Sequence, residues 1–125
     1  MVKLLVVDDE PAVVSLLERF LTDKGYRVLT ATSGTGALGI FDKERPRIVF
    51  LDIRMPGMDG LEVLRTMKQQ DRRIKVIMIT VVEDQETIDL ARGLGADEYI
   101  VKPFDLEYLE KVVIHKVSEL VDEEE

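Results

Sequence analysis

The sequence predicts an α/β chain: a doubly wound (βα)5 three-layer sandwich around a five-stranded parallel sheet of order 2-1-3-4-5. Two observations carry that expectation. Short apolar runs alternate with helical patterns in a regular beat along the 125 residues, joined by short links, as right-handed crossovers between parallel strands require. The central runs are nearly continuous in apolar residues rather than alternating, the mark of strands buried on both faces.

Lys3 to Val7 is the first such run. Pro11 suits a first helical position, and Val13, Leu16, Leu17, Phe20 and Leu21 recur at helical spacing until Gly25, which reads as a left-handed cap. Tyr26 to Ala31 reads as the second strand, and Ser33 as the cap of a second helix ending before Pro46. Arg47 to Leu51 is the third strand, followed by a Pro-Gly turn and a helix from Gly60 to Gln69. Ile74 to Ile79 is the fourth strand, Gln85 to Leu94 the fourth helix and Glu98 to Val101 the fifth strand. The last helix starts near Asp105 and runs to Val121, with Leu106, Leu109, Val113, Val117 and Leu120 on one core-facing stripe. Five strands suit the smaller, flavodoxin-like winding, whose ligand site lies beyond the carboxyl ends of the strands where their order reverses.

The composition fits one domain, expected over residues 1–121 with an acidic tail at 122–125. Hydrophobic residues make up 46% and charged residues 34%, and there is no cysteine and a single histidine. Disulfides and thiolate metal sites are thereby excluded, and a cytoplasmic setting is expected. No apolar run approaches the ~20 residues of a membrane helix, and the start of the chain lacks a signal-peptide pattern. The net charge of −8 argues against nucleic-acid binding by this chain alone, because phosphate contacts need clustered Lys and Arg.

Chemistry gathers at the strand ends. Asp8 and Asp9 follow the first strand, Asp52 the third, Thr80 the fourth and Lys102-Pro103 the fifth. Taken singly, Asp8 or Asp9 reads equally well as a helix cap, Thr80 as a strand-end residue and Lys102 as a solvated lysine. Their convergence on one rim is what decides. Carboxylates held that close repel unless a cation neutralises them, and a hard oxygen-only site suits Mg²⁺, or Mn²⁺ in its place. Beside such a cation a carboxylate can act as a nucleophile and form an aspartyl phosphate, with Thr80 and Lys102 supplying a donor and a positive charge to the transferring group.

These motifs resemble a response-regulator receiver domain, the phosphoacceptor module of two-component signalling, including its chemotaxis-type single-domain form. The resemblance spans essentially the whole chain. It rests on Val6-Val7-Asp8-Asp9-Glu10, on Leu51-Asp52 with Met55-Pro56-Gly57-Met58-Asp59-Gly60, on Ile79-Thr80, and on Gly95-Ala96 through Tyr99 to Lys102-Pro103-Phe104. It implies that Asp52 is phosphorylated, that Asp9 binds the metal directly and Asp8 mostly through water, and that the backbone carbonyl of Arg54 completes the ligands. It further implies that Thr80 hydrogen-bonds the phosphoryl group, that Lys102 pairs with it, that Tyr99 is a switch aromatic and that the Lys102-Pro103 bond is cis. The donor would be a phosphohistidine on a sensor histidine kinase or phosphotransfer protein. The chain would be a signalling domain rather than an enzyme, catalysing only its own phosphorylation and dephosphorylation, and is expected as a stand-alone receiver or as part of a longer regulator.

Three features depart from the family pattern. Val81 stands where Ala or Gly is usual and is expected to narrow access to Asp52. Arg54 and Val82 flank the acceptor, where a water-positioning carboxylate or amide is then missing. Gly34, Gly36 and Gly39 weaken the second helix, expected to be the most mobile one. The same glycines spell a dinucleotide-like Gly34-x-Gly36-x-x-Gly39, but that loop leaves an edge strand and such a reading gives Asp8, Asp9, Thr80 and Lys102 no task. An adaptor that is never phosphorylated is the other alternative. On the last helix Tyr108 and Val112 fall off the core stripe, either as scattered surface residues or on the fourth-helix, fifth-strand, last-helix face that receivers use for dimerisation or output. His115 reads as solvated.

Overall fold

The structure, a computed structural model, describes residues 2–123. Five strands, β1 (Lys3–Val7), β2 (Arg27–Ala31), β3 (Ile48–Leu51), β4 (Lys75–Thr80) and β5 (Glu98–Val101), form one parallel sheet of order β2-β1-β3-β4-β5. The expected winding is therefore the observed one. Between them run α1 (Pro11–Asp23), α2 (Gly34–Glu44), α3 (Gly60–Gln70) and α4 (Gln85–Gly93).

Strand alternation divides the core between the two faces of the sheet. Leu5, Val7, Val49, Leu51, Val76 and Met78 pack against Phe41 of α2, Val63, Leu64 and Met67 of α3 and Ala91 of α4. Leu4, Val6, Ile48, Phe50, Ile77, Ile79 and Ile100 face the other way, against Leu17, Phe20 and Leu21 of α1 and the last helix. β1 and β3 are buried on both faces, which is why their sequences are apolar without interruption.

The helix ends follow the local chemistry. Gly25 (φ 95°) ends α1 in a Schellman arrangement, its N–H donating to Thr22 O while Tyr26 N–H reaches back to Leu21 O. Gly95 (φ 108°) repeats the device after α4, with bonds to Arg92 O and, from Ala96, to Ala91 O. Ser33, Asp59, Asp84 and Asp105 each cap a helix through a side-chain oxygen.

The last helix departs from the expected stripe. It starts as Leu106–Tyr108, passes through a π-helical stretch at Leu109–Val113 and continues as Ile114–Glu123. Leu109, Val113, Val117 and Leu120 are buried as expected, but Leu106 is 57% exposed. The π turn adds one residue, which rotates the residues before it by about 100° relative to the stripe. Tyr108 is correspondingly half-buried and packs on the second core cluster. Asp122 and Glu123 of the expected tail belong to this helix, whereas Glu124 and Glu125 lie outside the described residues.

Candidate functional site

The parallel ladder continues one residue past three of the strands, and this is what aligns the chemistry. Asp8 N–H donates to Ala31 O at 3.1 Å, Asp52 N–H to Val7 O at 3.0 Å and Lys102 N–H to Thr80 O at 2.8 Å. Asp8, Asp52, Thr80 and Lys102 are the four buried polar residues of the described chain, and all four lie on this rim. Gly60 closes the floor. Its N–H donates to Ile53 O at 2.8 Å, and a Cβ there would lie 2.0 Å from Asp52 O.

Lys102 is the hub. Its Nζ lies 2.7 Å from Glu10 Oε1, 2.8 Å from Asp8 Oδ2 and 3.1 Å from Asp52 Oδ2. The far oxygens of the two buried aspartates are held by backbone: Asp8 Oδ1 accepts from Glu10 N–H at 2.9 Å and Asp52 Oδ1 from Arg54 N–H at 3.3 Å. Burial works against the Lys102 ammonium, but its contacts with Asp8, Glu10 and Asp52 outweigh that and hold its pKa above the ordinary lysine value. Burial raises the pKa of Asp8; the Lys102 contact and the Glu10 N–H oppose the rise and the neighbouring Asp52 adds to it. The Lys102-Pro103 peptide bond is cis.

The cation-binding potential centres on Asp8, Glu10 and Asp52, whose carboxylate oxygens approach within 4.8 Å of one another. Asp8 Oδ2 is fully buried, and its partner is the Lys102 ammonium, which it shares with Glu10 and Asp52. Three carboxylates share one ammonium, which leaves an oxygen-only donor set with excess negative charge, so the residues fit Mg²⁺. Asp9 is exposed and is not one of that trio; it borders a shallow depression with Ile53, Arg54, Met55, Pro56 and Asp59. Thr80 is buried, its Oγ1 accepting from Val82 N–H at 3.3 Å. Tyr99, half-buried, donates its hydroxyl to Val82 O at 2.5 Å. Burial, reinforced by Asp84 and Asp52, raises its pKa. Arg54 is exposed and Val81 is 51% exposed at the edge of the site, while Val82 is buried.

Of the dinucleotide-like glycines, Gly34 has a packing role. The loop does leave the edge strand β2, and Gly34 is at the start of α2, where a Cβ would come within 2.9 Å of Val63 and 3.1 Å of Met58. Sequence reasoning missed Glu10, whose contact with Lys102 is the shortest of the three. The signal was present, since it extends the Asp8-Asp9 pair, but at the head of α1 it reads as an ordinary first-turn acid. The Val82 carbonyl and the backbone contact at Gly60 carry no side-chain signature at all.

A five-stranded parallel sheet with a lysine-bridged carboxylate pocket at its switch point defines a phosphoacceptor signalling domain. The chain belongs to the response regulator receiver domain family, which it matches over residues 4–114. It is 40% identical over 111 residues to sporulation initiation phosphotransferase F of Bacillus subtilis (strain 168), covering 89% of this chain and 90% of that one. It is also 40% identical over 102 residues to the alkaline phosphatase synthesis transcriptional regulatory protein PhoP of the same organism, covering 82% of this chain but 42% of PhoP. The chain thus spans nearly all of one relative and less than half of the other. Among solved structures, the response regulator TrrA from Thermotoga maritima in complex with Mg²⁺-BeF superposes with a TM-score of 0.82 at 38% identity, over 96% of this chain and 99% of that one. The BeF3-activated DrrB receiver domain gives a TM-score of 0.87 at 30% identity, over 98% of each. Among the described residues no helix is long and apolar enough to cross a membrane.

Proposed function

We propose that Asp52 is the residue that accepts the phosphoryl group, from a phosphohistidine of a sensor histidine kinase or phosphotransfer protein. The observation that carries this reading is the buried Asp52 carboxylate with Lys102 Nζ 3.1 Å from its Oδ2 and Asp8 sharing the same ammonium. A carboxylate oxygen of Asp52 forms the new P–O bond while the P–N bond to the histidine breaks, its electron pair leaving with the imidazole nitrogen. Lys102 neutralises charge on the transferred group, and Thr80 offers its hydroxyl to it. Mg²⁺, or Mn²⁺, supplies neutralisation of the acidic pocket and a clamp on the phosphoryl oxygens when bound. The ligands we assign to it are Asp8 and Asp52, with Asp9 and the Arg54 carbonyl from the adjoining depression that Asp9 and Arg54 line, Glu10 being engaged by Lys102 instead.

Switching follows from the two groups that converge on the β4–α4 link. Thr80 and Tyr99 both bond to Val82, one to its N–H and the other to its carbonyl. A pull on Thr80 by the phosphoryl group is therefore felt at the Tyr99 hydroxyl, and we assign output, or pairing of two copies, to the face formed by α4, β5 and the last helix. In this reading residues 1–121 are a cytoplasmic receiver that catalyses no reaction but its own phosphorylation and dephosphorylation.

The test is phosphotransfer with Mg²⁺ from a panel of labelled sensor kinases, comparing wild type with Asp52→Ala, then sizing with and without beryllofluoride. Label on wild type that is lost in Asp52→Ala supports the assignment. Label that persists in the variant overturns it.

A further inference from the structure

Lys102 has three N–H donors and three carboxylate neighbours, so its ammonium is fully committed. The three neighbours are not equivalent. Asp8 and Asp52 have side chains 0% and 5% exposed, and each is pinned at its second oxygen by a backbone N–H. Glu10 makes the shortest contact, yet its side chain is 56% exposed. It also takes no part in capping α1, although it occupies the N-cap position. Its carboxylate is thus the one that can rotate into water without leaving a buried charge behind.

We propose that Glu10 is a positioning residue that holds Lys102 in the unphosphorylated domain and releases it to the acceptor when the phosphoryl group arrives. The inference rests on the reading of Asp52 as acceptor and Lys102 as its cationic partner. Glu10 competes with the phosphoryl group for one ammonium and sets how readily the phosphorylated state is reached. An ion pair with one exposed partner, in the upper half of the range for such pairs, has roughly a two- to fivefold effect on an equilibrium.

The experiment measures beryllofluoride binding at saturating Mg²⁺ by titration calorimetry, so that differences in metal affinity drop out. Wild type is compared with Glu10→Gln, Glu10→Asp, Lys102→Ala and the Glu10→Gln/Lys102→Ala pair. Glu10→Asp is decisive because it keeps the negative charge but shortens the reach. Both Glu10 variants are expected to bind beryllofluoride about two- to fivefold more tightly than wild type, and the gain is expected to vanish when Lys102 is already alanine. Unchanged or weaker binding in both Glu10 variants overturns the proposal. A gain confined to Glu10→Gln, or one that survives without Lys102, also overturns it, because general electrostatics then accounts for it. Wild type that binds no beryllofluoride at all sinks the reading of Asp52 itself, a distinct failure.

Discussion

Lys102 Nζ and Asp52 Oδ2 lie 3.1 Å apart across 50 positions of sequence, and both side chains are buried. Asp8, equally buried, shares the same ammonium at 2.8 Å. Removing the lysine leaves two adjacent carboxylates with no cation. Lys102→Met keeps the volume and is expected to destabilise the metal-free domain by about 3 kcal/mol, the lower end for breaking a buried pair. Saturating Mg²⁺ is expected to restore most of it, as read from urea unfolding with and without the metal. The pH dependence follows from the same contacts. Burial opposes the charged lysine but the three carboxylates raise its pKa above 10.5, so its contribution is fully present below that value and lost as pH rises through the higher folded value. A variant as stable as wild type without metal would rule out the hub.

Two glycines make opposite predictions because they meet different surroundings. Gly39 lies inside α2 with nothing within 4 Å of the position of a Cβ. Gly39→Ala should stabilise by about 1 kcal/mol through helix propensity alone and slow hydrogen exchange across α2, the helix expected from its glycines to be the most mobile. At Gly60 a Cβ would sit 2.0 Å from Asp52 O, so Gly60→Ala must displace the end of β3 or the start of α3. It should lower stability by more than 2 kcal/mol, the range of severe overpacking, and depress phosphorylation of Asp52, while Gly39→Ala leaves labelling unchanged. Equal labelling in both variants would refute the structural role of Gly60.

Tyr99 ties β5 to the link between β4 and α4. Its hydroxyl donates to Val82 O at 2.5 Å, and Tyr99→Phe deletes the donor while keeping the ring. The expected cost is about 1 kcal/mol in chemical unfolding. Burial, with Asp84 and Asp52 adding to it, raises the Tyr99 pKa above 10.0. The folded state therefore holds that proton longer than the unfolded one, and stability falls as pH rises between the two values. The difference between the absorbance titrations of wild type and Tyr99→Phe should show the Tyr99 hydroxyl ionising above the ordinary value.

The strand ends were readable because parallel β/α winding forces them to one rim, so Asp8, Asp52, Thr80 and Lys102 needed only to be found after their apolar runs. What stayed hidden depended on one-residue rotations. Which of Asp8 and Asp9 turns inward is set by the pleat at the end of β1, since neighbouring residues point to opposite sides; Asp8 is buried and Asp9 exposed. Leu106 left the expected stripe through the π turn at Leu109–Val113, an inserted residue that apolar spacing does not announce. Glu10 was hidden for a third reason. Its tie to Lys102 spans 92 positions, and a local pattern can report only on neighbours.

Val81, expected from the sequence to narrow access to Asp52, borders the site beside Glu10 and Lys102. The side chain is 51% exposed and, with Glu10, Lys102, Pro103 and Phe104, lines a groove beside the lysine. A branched side chain there is expected to narrow the approach of a small donor to Asp52 and to crowd an inward slide of Thr80, its chain neighbour. Acetyl phosphate, which brings no docking surface of its own, should therefore label the wild type slowly. Val81→Ala removes two carbons from an exposed position and costs little stability. It should raise the labelling rate about fivefold, equivalent to roughly 1 kcal/mol of barrier, with Mg²⁺ saturating in both cases. Beryllofluoride affinity separates the two contributions. If only entry is widened, labelling speeds up while affinity stays the same; if Thr80 also moves more freely, both improve. A Val81→Ala protein labelled no faster than wild type would show that Val81 restricts neither.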